Sequence, residues 1–101
     1  RYMLGGCMFV SIMIDPGGEE SARDLAEVLT FHGFARMQRA CWESASIGER
    51  QLLTLRREID RVTDYYDVVR VYQYPVDGLL AILTLAKKRW KKLFVHPPIE
   101  K

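Results

Sequence analysis

Apolar and polar positions change period several times along the chain, and each change marks an element. Cys7–Ile14 (CMFVSIMI) is apolar almost throughout. Phe9, Val10, Ile12 and Ile14 favour extended backbone, so the segment reads as a central strand buried on both faces. It breaks at Asp15-Pro16-Gly17-Gly18, where proline lacks a donor and glycine permits turn geometry. From Glu19 to His32 the period lengthens. Ala22, Leu25, Ala26, Leu29 and Gly33 follow helical spacing, acids crowd the first turn, and Gly33 is a natural stop. Phe34–Ser44 (FARMQRACWES) alternates imperfectly with no interior Gly or Pro, and predicts a strand with room to bend into two before Ile47. Gly48-Glu49 opens a second helix to about Val62, with Leu52, Leu55, Ile59 and Val62 on one stripe and charges opposite. Asp67–Tyr74 (DVVRVYQY) alternates again and is closed by Pro75.

The last segment admits two readings. LLAILTL has the composition of a strand. Yet Leu79, Ile82, Leu83, Ala86, Trp90, Leu93 and Phe94 fall at helical offsets, and Asp77 suits an N-cap. The spacing predicts a helix over Leu79–Phe94, ending before Pro97-Pro98, with Lys87, Lys88, Lys91 and Lys92 on one face. The element order is then βαβ(β)αβ. This is an α+β chain: a ferredoxin-like βαββαβ domain over residues 7–101, with an additional basic C-terminal helix at 79–94. Residues 1–6 read as a leader with no role in the fold.

Composition narrows the class. At 101 residues there is room for one domain, and 49% hydrophobic with 28% charged residues is an ordinary globular balance. A core this small favours an oligomer. No apolar run reaches the roughly 18 residues that cross a bilayer, and no secretory cleavage pattern follows the start, so no membrane and a cytoplasmic location are expected. Cys7 and Cys41 match no zinc spacing and read as reduced thiols ahead of a single disulfide. Residues 1–85 carry 9 basic and 12 acidic side chains, a balance of −3, whereas residues 86–101 carry 6 and 1, a balance of +5. That asymmetry points to an anionic partner at the C-terminal end.

Four places carry candidate chemistry. Asp15, at the tip of the most buried strand, suits a hard cation such as Mg2+, and is also a residue type that simply closes a strand at a turn. One carboxylate is too few for a metal site unless a symmetric dimer brings two together. Alternation places Arg36, Gln38, Ala40 and Trp42 on one strand face and Met37, Arg39 and Cys41 on the other. Arg36 and Arg39 there could hold phosphates or line a dimer contact, and Trp42 packs or stacks on a base. His32 reads as a helix-end residue. KKRWKK, residues 87–92, sets five cations around Trp90 and suits contact with nucleic-acid phosphates, ahead of a solubilising tail or a membrane-surface helix. No nucleotide-binding loop, nucleophile elbow or zinc-protease motif is present.

MFVSIMID (8–15) and HGFARMQRACWES (32–44) resemble the Cas-two family, the small CRISPR-associated proteins of spacer acquisition. The first matches the family's opening strand ending in Asp. The second matches its second-strand signature at Gly33, Phe34, Arg36, Met37, Gln38, Ala40, Trp42 and Glu43. The resemblance covers about residues 8–75. It implies a ferredoxin-like homodimer that binds duplex DNA and bridges dimers of the CRISPR integrase, acting as an adaptor in spacer acquisition. It also implies Mg2+-dependent endonuclease chemistry, with Asp15 as metal ligand and Arg36 and Trp42 at catalytic positions. The chain departs from the pattern at Ile14, at Trp42, and in a basic helical C-terminus where many members carry a short strand. The alternative is a ferredoxin-like regulatory or toxin-type dimer that binds a small ligand or RNA.

Overall fold

The computed structural model describes residues 6–98. The reading of residues 1–6 as a leader therefore lies, apart from Gly6, outside the described residues. Six strands and two helices follow in the order β1 (Met8–Asp15), α1 (Glu19–Phe31), β2 (Ala35–Gln38), β3 (Cys41–Ile47), α2 (Glu49–Val62), β4 (Val68–Val76), β5 (Leu79–Ala86) and β6 (Arg89–Val95). The strands form one sheet in the order β2-β3-β1-β4-β5-β6, and every neighbouring pair is antiparallel. The architecture is α+β.

Side chains alternate across the sheet, and one face carries the core. Met8, Val10, Ile12 and Ile14 of β1 are buried with Val69, Val71, Leu83 and Leu85 under Leu25 and Leu29 of α1 and Leu52, Leu55 and Ile59 of α2. The sequence predicts β1 buried on both faces, and here the structure differs. Phe9 and Met13 remain 41% and 46% exposed on the opposite, open face, because both helices pack on the same side.

Each helix boundary follows from local chemistry. α1 starts after the extended Gly18 with Glu19 and Glu20 in its first turn, where carboxylates complement the unpaired amides. It ends in a Schellman motif. Gly33 takes φ +84°, its N–H donates to Thr30 O, and the Phe34 N–H donates to Leu29 O while both side chains join the core. His32 sits at this end as expected, but its Nε2 bonds Glu58 Oε1 of α2 at 3.1 Å, tying the helices together.

The segment Phe34–Ser44 is two strands, β2 and β3, joined at Arg39-Ala40. β4 runs past Pro75 to Val76, with a register shift after Gln73.

The predicted C-terminal helix over Leu79–Phe94 is not formed; those residues make the β5–β6 hairpin. Asp77 is not an N-cap. Asp77 and Gly78 take φ +51° and +78° in a two-residue turn that pairs Val76 with Leu79, the left-handed geometry that Asp-Gly favours between strands. Lys87 and Lys88, at φ +54° and +59°, make a second such turn and pair Ala86 with Arg89. Strand pairing wins because alternation puts Ala81, Leu83 and Leu85 into the core beside β4, a burial that the helical stripe would forgo.

Candidate functional site

Four of the residues singled out by sequence converge on one cleft of about 510 Å³ between α1 and the β2–β3 hairpin. Asp15 reaches it from the end of β1, Arg36 from β2, Arg39 from the hairpin turn and Trp42 from β3. Register explains the meeting. Arg36 lies directly opposite Trp42 across β2 and β3, and Trp42 lies opposite the buried Ile12, so both point to the helix side. Their shared face is thus a cross-strand pairing, and the turn at Arg39-Ala40 interrupts the continuous alternation predicted for one strand.

Three arginines, Arg23, Arg36 and Arg39, line the cleft. The Arg36 guanidinium stands 5.4 Å from the Trp42 ring centre, and its Nε and Nη2 donate to the Arg39 carbonyl at 3.1 and 2.6 Å. Those contacts hold the planar fork in place while it stays exposed. Trp42 is only 4% exposed, and its indole N–H has no hydrogen-bond partner among the described residues. Arg23 of α1 completes the wall; it lies one helical turn into α1, and nothing in its sequence neighbourhood signals it.

Asp15 borders this cleft at the end of β1, although the alternation of β1 gives it the parity of the open face; Arg23, Arg36 and Arg39 line the walls. A wall with three arginines suits an anion such as phosphate better than a divalent cation. Among the described residues, no group of three or more His, Cys, Asp or Glu side chains could hold a metal. The residues of one chain therefore do not by themselves fit Mg2+.

The four lysines do not form the single face that a helix would give. Lys87 and Lys88 occupy the β5–β6 turn, and strand alternation sends Lys91 and Lys92 to opposite faces of β6. Lys88 folds back on the C-terminal end of α2. Its Nζ donates to the Asp60 and Thr63 carbonyls, the latter at 3.0 Å, and lies 3.4 Å from Asp60 Oδ1. That is a helix-terminus contact, where a cation meets unpaired carbonyls. Trp90 packs against the core as its apolar position suggests, with the Arg56 guanidinium 4.7 Å from its ring centre.

A second cavity of about 690 Å³ opens between the start of α2 and strands β4 and β6, with Arg50, Arg56, Gln73 and Lys92 on its walls. Burial pushes the Arg56 guanidinium below its ordinary value. Cys7 and Cys41 carry free thiols, and Cys41 Sγ lies 3.6 Å from Ser11 Oγ on the open face.

On the far side of Asp15 lies a feature the sequence does not announce. Asp67 is fully buried, with its carboxylate accepting from the Gly17 N–H at 2.6 Å, the Asp64 N–H at 2.7 Å and the Ser21 hydroxyl at 3.0 Å. Burial alone would push this carboxyl up, but the Gly17, Asp64 and Ser21 donors outweigh it and hold the group below its ordinary value. Through Asp67 the loop before β4 is fastened to the turn that follows Asp15.

Among the described residues no helix is long and apolar enough to cross a membrane. Comparison of the chain with models of protein families, with curated proteins and with solved structures finds no match in any of the three.

Proposed function

We propose that the chain is a dimeric DNA-binding adaptor of CRISPR spacer acquisition, which contacts duplex phosphates and joins them to a CRISPR integrase. The observation that carries this is the cleft, where Asp15, Arg36, Arg39 and Trp42 come together from separate strands and a turn. Asp15, Arg36 and Trp42 are among the positions on which the resemblance to the Cas-two family rests. The order β4-β1-β3-β2, with a helix after β1 and another after β3, supports a ferredoxin-like reading of residues 8–76, extended by the β5–β6 hairpin. The exposed apolar side of the sheet supports a second copy as the partner of that face.

A Mg2+-dependent endonuclease is the second reading. One observation favours it: Asp15 falls on the open-face parity of β1 with Phe9, Ser11 and Met13. Stacking two open faces would bring two such carboxylates to one interface.

One set of titrations tests both readings. Duplex DNA binding is measured against salt for the wild type, Arg36→Ala/Arg39→Ala and Asp15→Asn, with cleavage followed in Mg2+. The arginine variant should bind more weakly on every sequence, and its log–log salt slope should flatten by about one to two units. An unchanged slope would remove the cleft from the DNA-binding surface. Cleavage by the wild type that Asp15→Asn abolishes, with binding retained, would select the endonuclease; an inactive wild type that binds would select the adaptor.

A further inference from the structure

Tyr65 and Tyr66 are the two aromatic side chains of the loop between α2 and β4. Both project outward, at 55% and 76% exposed, with ring centres 5.5 Å apart in an edge-to-face pair. Exposed aromatics on a surface loop are ordinarily mobile, but this loop is fixed from beneath. The Asp67 carboxylate takes the Gly17 and Asp64 amides and the Ser21 hydroxyl, and the Tyr66 N–H donates to Asp64 Oδ1 at 2.9 Å. Gly17 is pressed so closely on Tyr66 that an added Cβ would lie 2.8 Å from the tyrosine Cβ. A buried, fully bonded carboxylate thus holds a loop whose own large side chains stay outside the core. A platform fixed in advance loses little freedom when something stacks on it.

Position supplies the occupant. Gly17 is two residues beyond Asp15, and Asp15 pairs with Val68 at the start of β4, so the tyrosines stand at the same end of the sheet as the cleft. The β5–β6 turn with exposed Lys87 lies at this end too, since Leu85 pairs with Val69. Arginines on one side, a lysine on the other and two flat rings between them match a strand of nucleic acid: phosphates on the cations, bases on the rings.

We propose that Tyr65 and Tyr66 form a stacking platform for unpaired bases of a DNA strand whose phosphates occupy the neighbouring arginine cleft. This rests on the nucleic-acid reading above and adds a preference for unpaired ends over blunt duplex.

The test is fluorescence anisotropy with a blunt duplex and the same duplex bearing a short unpaired tail. It uses the wild type, Tyr65→Ala/Tyr66→Ala and Tyr65→Phe/Tyr66→Phe. Every variant keeps the Cβ against which Gly17 packs, and thermal melts check that each folds. The wild type should bind the tailed duplex about tenfold more tightly. The alanine pair should lose that preference while keeping blunt-duplex affinity, and the phenylalanine pair should retain it. Equal wild-type affinity for both duplexes, or equal loss on both, overturns the platform alone and leaves the adaptor standing. A change of oligomeric state in the alanine pair assigns the tyrosines to a protein contact and also overturns it. A wild type that binds neither duplex overturns the nucleic-acid reading, and this proposal with it.

Discussion

Asp67 shows how one residue connects folding to the site. It is a buried charge with no cation beside it among the described residues, which is costly unless donors replace the lost water. Two backbone amides and a hydroxyl do so, and together they fasten the α2–β4 loop to the turn after β1. Asp67→Ala would strand those donors and should destabilise the protein by on the order of 3 kcal/mol. The sign of the pH dependence follows from the direction of the shift. The folded carboxyl is held below an aspartate's ordinary value of 3.8, so its contribution is complete above that value. It is lost as pH falls through the lower, folded one. Thermal melts from neutral to strongly acid pH should show a steeper acid decline for the wild type than for Asp67→Asn. Parallel declines would mean that Asp67 titrates alike in the folded and unfolded chain. The same bonds orient Tyr65 and Tyr66, so loss of the carboxylate should also erase any preference for unpaired ends.

Among the elements, the β5–β6 hairpin is where pattern and structure part. α1, α2 and β4 are legible because each has a single clean period: the α2 stripe Leu52, Leu55, Ile59 is the buried stripe observed, whereas β1 is legible as a strand only from its run of β-favouring apolar residues. Residues 79–94 are apolar at nearly every second, third and fourth position, and so satisfy both templates. The deciding signal was Asp77-Gly78, a hairpin dipeptide that serves equally as a helix cap. Lys87-Lys88 gave no turn signal at all, since neither residue favours positive φ. Of the cleft, Asp15, Arg36, Arg39 and Trp42 were singled out in the sequence, although Arg39 was read on a strand and lies in the β2–β3 turn. Arg23 and the tyrosine pair were not, because only tertiary packing brings them to the same end. The two turn lysines should respond oppositely to substitution. Lys87→Asn relieves left-handed strain and should stabilise by about 0.5–1 kcal/mol. Lys88→Ala removes the cation at the α2 carbonyls and should destabilise by about 1 kcal/mol. Denaturant melts of both variants check this, and a shared sign would mean that turn strain and helix-end contact are not separable.

At the scale of the molecule, the sheet has one side covered by helices and one open side that carries large apolar side chains. Tyr72 of β4, Ile82 of β5 and Leu93 of β6 form one cross-strand row, flanked by the Phe9–Tyr74 pair and by Leu80 with Val95. Leu93 is 59% exposed and Tyr74 53%, yet neither contributes to the core on the helix side. A sheet face this apolar marks a contact surface. A second copy is its proposed partner, because an isologous pairing covers the same patch twice without needing another protein. The proposed pairing would cover Phe9 and Met13, which give β1 the apolar character of a strand buried on both sides. Placing charges there should therefore break assembly without unfolding the chain. Phe9→Glu/Leu93→Glu should keep its circular dichroism spectrum, since both side chains are largely outside the core. Light scattering should report the wild type at twice the 11.7 kDa chain mass and the variant at that mass. If the wild type itself runs as a monomer at micromolar concentration, the open face has another partner, and both the paired Asp15 carboxylates and the dimeric adaptor fall with it.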